Sequence, residues 1–174
     1  MSNTDQKKEL EVFFDYVCPY CRRGIIEFMD MLPEFPDLRI KWVSCEAHPR
    51  PEFARVHSDL AIQALLFLEA QGGDLIKFNR LVYQAHFAER RRIDDVRVLA
   101  ELAAVCGADP AALTAALTEN RYAKQVEANN RLVWEELGLE AVPSYRYGDK
   151  IIGSGNGQLV SNDELRAFLK ECGA

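Results

Sequence analysis

Long apolar runs are missing from this sequence. The most hydrophobic stretch, Leu60 to Ala70, is broken by Gln63 and Glu69 and is too short for a bilayer, which needs about 20 apolar residues. Basic charge is also scarce: 21 Lys and Arg face 27 Asp and Glu, a net charge of −6. A nucleic-acid surface needs a basic face, so that class of partner is argued against. Histidine is rare, with His48, His57 and His86 at no metal-ligand spacing. Cysteine is limited to Cys18, Cys21, Cys45, Cys106 and Cys172, an odd and scattered set that makes a poor disulfide framework. The first residues, Met1 to Lys8, are polar, with no apolar leader region. A cytoplasmic protein is the expectation. There is no internal repeat and no low-complexity linker.

What is present is ample core material, 48% hydrophobic residues, over a length that suits one domain with an insertion. Glu9 to Val17 is rich in Val, Phe and Tyr and reads as a buried strand. A helical pattern runs from Cys18-Pro19 to Leu32, with Ile25, Phe28, Met29 and Leu32 on one face. Leu38 to Cys45 reads as a second strand, parallel to the first because the crossover has helical length.

From Asp59 to Leu137 nearly everything reads as helix. The pieces are Asp59–Ala70, Asp74–Phe87, Asp94–Cys106, a helix opened by Asp109-Pro110, and Tyr122–Leu137, with Gly72-Gly73, Gly107 and Gly138 as stops. Val142–Tyr147 and Lys150–Ile152 flank the turn pair Gly148-Asp149 and form a hairpin. Asn162–Glu171 is a terminal helix. The layout is an α/β arrangement: βαβ, a helical block, then ββα.

The segment that carries chemistry is Cys18-Pro19-Tyr20-Cys21. The thiolate is the attacking form of cysteine, and Cys18 sits where a strand passes into a helix. Unpaired N–H groups and the helix dipole favour an anion there, and Arg22 and Arg23 place positive charge nearby. Cys21 lies one helical turn on, able to reach Cys18 and resolve a mixed disulfide. Zinc needs four ligands, and no second cysteine pair is present. Val142-Pro143 opens the late hairpin. Such a bond either is cis and marks a special turn or belongs to an ordinary edge-strand proline.

Together these residues resemble the thioredoxin superfamily. Pro143 lies 122 positions after Cys21, which leaves room for a helical domain inserted in a thioredoxin-like core (βαβ…ββα), as in the DsbA family. The string Phe14-Asp15-Tyr16-Val17-Cys18-Pro19-Tyr20-Cys21 is similar to its cytosolic branch, which is related to 2-hydroxychromene-2-carboxylate isomerases and kappa-class glutathione transferases. The resemblance implies a thioredoxin-like domain from residues 1–58 and 138–174, with an all-helical insertion, residues 59–137, capping the site.

It implies Cys18 as nucleophile and Cys21 as resolving thiol of a thiol–disulfide oxidoreductase. Pro19, Tyr20, Val142 and a cis Pro143 would bind substrate, with the Val142 backbone pairing with it. Protein or small-molecule disulfides would be the substrates. No metal or resident cofactor is called for, and glutathione is the candidate co-substrate. The alternative is a glutathione-dependent isomerase or transferase, and monomer and homodimer both fit.

Two positions depart from the pattern. Many thioredoxin-like proteins bury an acid six residues before the nucleophile; here that position is Val12, with Glu11 and Asp15 nearby. Pro19-Tyr20 stands where the best-known DsbA proteins have Pro-His, which implies a less oxidising Cys18. Outside the motif, Cys45 reads as a buried hydrophobe, and Cys106 and Cys172 as structural. His48 lies after a strand's C-terminal end, where sites gather. Arg90-Arg91-Arg92 reads as a solvated helix end. Phe67, Phe78, Phe87 and Trp134 read as helical core.

Overall fold

A computed structural model describes residues 8–173. Residues 1–7, on which most of the expectation about the polar start falls, lie outside it, as does residue 174. The chain begins with β1 (Leu10–Phe14), α1 (Pro19–Met31), a short 3₁₀ turn at Leu32–Glu34, and β2 (Ile40–Ser44). The helices α2 (Asp59–Ala70), α3 (Leu75–Tyr83), α4 (Val96–Ala104), α5 (Pro110–Thr118) and α6 (Ala123–Asn130) come next. The hairpin β3 (Ser144–Tyr147) and β4 (Lys150–Gly153), then α7 (Asn162–Cys172), end the chain. The expected layout, a thioredoxin-like βαβ and ββα with helices between, is what the structure has.

The sheet runs β2-β1-β3-β4. β1 and β2 are parallel, with Val12 opposite Trp42; β1 and β3 are antiparallel, with Phe13 opposite Ser144. β1 is therefore an interior strand, which explains why Val12, Phe13 and Phe14 are all fully buried and why the sequence there does not alternate cleanly. Beneath the sheet, Phe28 of α1 packs edge-on to Trp42 at 5.7 Å between centroids and tilted on Tyr145 at 5.4 Å. That contact fixes α1 against the sheet and so fixes its first turn. Among the described residues, no helix is long and apolar enough to cross a membrane.

Four helix starts obey their sequence signals. The side chains of Asp74, Asp95, Asp109 and Ser161 accept from the N–H groups of Lys77, Arg97, Ala111 and Glu164, the usual N-cap arrangement. The fourth helix starts later than expected, because Asp95 rather than Asp94 takes the cap. Two helices end differently from the prediction. α3 passes at Gln84–Ala88, and α6 at Arg131–Glu136, into a wide π-helical turn, seen in the Leu137 N–H donating to the Leu132 carbonyl at 2.9 Å. The extra residue in such a turn shifts the phase of the side chains, and in the second case it redirects Trp134.

The first strand is shorter than the sequence suggests. It stops at Phe14, and Asp15 to Val17 form a turn before the helix.

Candidate active site

Cys18 occupies the N-cap of α1 in an extended conformation, φ −85° and ψ 120°, with Pro19 as the first helical residue. The preferred N-cap residues are Ser, Thr, Asp and Asn, whose oxygens accept from the second or third helical N–H. Here a sulfur stands in that place. It makes no formal side-chain cap hydrogen bond, but its contacts with the backbone N–H groups of Tyr20 and Cys21 and with the Cys21 thiol favour its anion. These contacts outweigh partial burial and bring the Cys18 pKa down from 9.0 to about 7, led by the Cys21 thiol; the charge of Asp15 opposes them. Arg22 instead lies over the Phe87 ring, 5.4 Å from its centroid, and Arg23 pairs with Glu27.

Cys21 is fully buried. Burial pushes its thiol well above the ordinary value, and donation to Cys18 adds to that. One sulfur is thus held as a thiolate near the surface while its neighbour is kept protonated behind it.

Asp15 organises this turn. It is fully buried, and its carboxylate accepts from the Val17 N–H at 3.2 Å and the Ala47 N–H at 2.8 Å. Its carbonyl accepts from the Cys18 N–H and from the Tyr83 hydroxyl at 3.1 Å. Burial raises its pKa against the pull of these hydrogen bonds and one from Ser58. Val12, six residues before the nucleophile, is core, and Glu11 is tied to Arg146 at the sheet. The buried acid beside the cysteine pair is Asp15.

The Val142-Pro143 bond is cis. The Pro143 ring packs on Gly24, one turn after Cys21: a Cβ built at Gly24 would lie 2.7 Å from Pro143 Cγ. Ser154 Oγ donates to the Pro143 carbonyl and Ser144 Oγ to the Ala141 carbonyl, each at 2.7 Å. Among the described residues, neither the N–H nor the C=O of Val142 is engaged in a hydrogen bond. Cys18, Tyr20 and Val142 line one cavity of about 560 Å³. Pro19 and Tyr20 also border a second, of about 520 Å³, so the exposed Tyr20 ring stands between the two.

The structure adds residues that the sequence did not point to. Asn130, Arg131, Trp134 and Glu135, at the end of α6 and in its π-helical turn, line the larger cavity. Trp134, expected in the helical core, is half-buried and donates its Nε1–H to the Glu46 carbonyl at 2.8 Å; the shifted phase of the turn carries it to the cavity wall. Asn130 accepts from the Glu46 N–H at 2.7 Å, which ties α6 to the segment after β2. Only the position of these residues at a helix end opposite the motif could have signalled them.

Cys45, Cys106 and Cys172 are buried and unpaired. His48 is exposed and meets Glu52 at 2.9 Å. Arg91 and Arg92 pair with Glu101 and Asp94. Among the described residues, no three His, Cys, Asp or Glu side chains are grouped as a metal ion would require.

Comparison with known proteins agrees with this fold. The cytosolic disulfide reductase DsbM of Pseudomonas aeruginosa, determined with GSH, superposes with a TM-score of 0.72 at 22% identity, over 94% of this chain and 98% of that one. BdbD of Bacillus subtilis, in its oxidised form, gives 0.71 at 19% identity, over 99% and 90%. By sequence, the chain is 25% identical to the uncharacterised protein YwbO of Bacillus subtilis, over 87% of this chain and 92% of that protein. Residues 9–171 match the DSBA-like thioredoxin domain, and the chain belongs to that family.

Proposed function

We propose that the protein is a thiol–disulfide oxidoreductase that exchanges its Cys18–Cys21 dithiol with the disulfides of other molecules. The observation that carries this reading is the division of labour between two sulfurs one helical turn apart: a partly exposed Cys18 with a pKa of about 7 and a buried Cys21 held protonated beside it. The Cys18 thiolate attacks a substrate disulfide, forming a mixed disulfide and expelling one substrate thiolate, which takes a proton from water. Cys21 then attacks the Cys18 sulfur, and its proton passes, directly or through water, to the departing sulfur, which leaves as the second thiol. The substrate is reduced by two electrons and the dithiol becomes a disulfide.

The free backbone of Val142 supports its role in aligning an extended substrate beside Cys18, with Pro19, Tyr20 and Pro143 forming the surface under it. An odd and scattered cysteine set, with no disulfide framework, supports action in a reducing compartment such as the cytoplasm. The alternative, a glutathione-dependent isomerase or transferase, draws no support from the site, where both cysteines are present. Oxidation and then peptide mass mapping should show a Cys18–Cys21 bond, and Cys18→Ser should abolish disulfide turnover. Full activity in that variant would reject the reading.

A further inference from the structure

The charges around Cys18 are unevenly distributed. Four charged residues line its cavity, Glu52, Glu135, Glu140 and Arg131; the Glu140 carboxylate reaches Gly155, at the edge of a neighbouring cavity. Glu52 meets His48; among the described residues, Glu135 and Glu140 have no ion-pair partner. Behind this wall lie two more buried acids, Asp15 and Glu46. On the other side of Tyr20, the second cavity holds Arg23 and Glu27, which neutralise one another. The thiolate is stabilised by N–H groups and a thiol rather than by a cation. Its surroundings are therefore net negative, in a chain that is itself at −6.

The site is also open to something longer than a small molecule. Tyr20 is 58% exposed between two cavities, and Phe53, next to Glu52, is 93% exposed. A large exposed aromatic such as Tyr20 at the rim of a reactive site offers contact area to a polypeptide.

Resting on the disulfide-exchange reading, we propose that this cavity selects polypeptide disulfides whose cysteines are flanked by lysine or arginine, and disfavours anionic disulfides such as that of glutathione. A cleft of one charge sign concentrates partners of the other and raises their association rate. Atoms and electrons balance: one disulfide and the enzyme dithiol yield two substrate thiols and the enzyme disulfide.

The test is single-turnover oxidation of the reduced full chain by three disulfide-linked peptide dimers, Lys-Cys-Lys, Ser-Cys-Ser and Glu-Cys-Glu. Each rate is divided by the rate of the same dimer with 2-mercaptoethanol, which removes intrinsic reactivity. The Lys dimer should react at least about tenfold faster than the Glu dimer. The ratio should fall toward one in 1 M salt, where the screening length is about 3 Å. It should also fall in the triple variant Glu52→Gln, Glu135→Gln, Glu140→Gln. Equal normalised rates would overturn the proposal, and faster reaction of the Glu dimer would overturn it and give Arg131 the deciding role. Cystamine showing the full charge effect while the peptides show none would overturn its polypeptide part. Failure of the exchange reading looks different: no dimer would react, or Cys18→Ser would react as well as the native chain.

Discussion

The backbone N–H of Asp15 donates to the sulfur of Cys21 at 3.4 Å, while the buried Asp15 carboxylate raises the pKa of both cysteines. One residue thus acts on the cysteine pair in two opposed ways. Its amide favours the Cys21 thiolate that must form in the resolving step, and its charge disfavours an anion on either sulfur. Asp15→Asn keeps the amide and removes the charge. The variant should have a Cys18 pKa below that of the native protein, read from the pH dependence of thiolate absorbance in the far ultraviolet. It should also be less stable by about 1–3 kcal/mol, because one of the N–H groups of Val17 and Ala47 loses its acceptor.

Gly24 lets the Pro143 ring rest on α1. A Cβ there would fall inside contact distance of Pro143 Cγ, and a proline ring cannot swing aside as a long side chain does. Gly24→Ala should push the 141–143 loop away from Cys18 and slow disulfide exchange on the order of ten- to hundredfold, with a near-native circular dichroism spectrum. An unchanged rate would show that the loop's position does not matter to the reaction.

Ser154 holds the same loop from the other side. Its hydroxyl donates to the Pro143 carbonyl at 2.7 Å, and its own N–H reaches that carbonyl at 3.3 Å. Ser154→Ala keeps the backbone bond and loses the hydroxyl, so urea denaturation should show a loss of about 1 kcal/mol.

Much of the site is legible in the sequence for a physical reason. Cys18-Pro19-Tyr20-Cys21 lies at a strand-to-helix junction, and both the helix start and the three-residue spacing are local properties. The capping aspartates Asp74 and Asp109 act on their own helix starts and are equally readable. Asp15 is harder to place. Strand alternation applied through Val17 leaves the direction of its side chain open, whereas the strand stops at Phe14 and the chain turns, burying Asp15 and Tyr16 in succession. Trp134 escapes because a π-helical turn breaks the 3.6 period, and Asn130 because its partner lies far away in the sequence. Their contacts with Glu46 join segments 88 and 84 residues apart, which no local pattern encodes.

The thiolate also couples ionisation to stability. The folded pKa of Cys18, about 7, lies below its ordinary value of 9.0. Ionisation therefore stabilises the folded, reduced protein as pH rises from below 7 toward 9, and that contribution is lost as pH falls through 7. Cys18 is partly exposed, so the gain between about pH 6 and about pH 8.5 over Cys18→Ala should be only about 1 kcal/mol. Parallel denaturation curves for the two reduced proteins across this range would check it.

The most direct measurement is the rate of iodoacetamide alkylation of Cys18 against pH, with the modified residue identified by peptide mass. A midpoint near 7, with Cys21 unmodified throughout, is the expected result. A midpoint near 9.0, the ordinary thiol value, with both cysteines labelled alike, would contradict an activated thiolate at the start of α1.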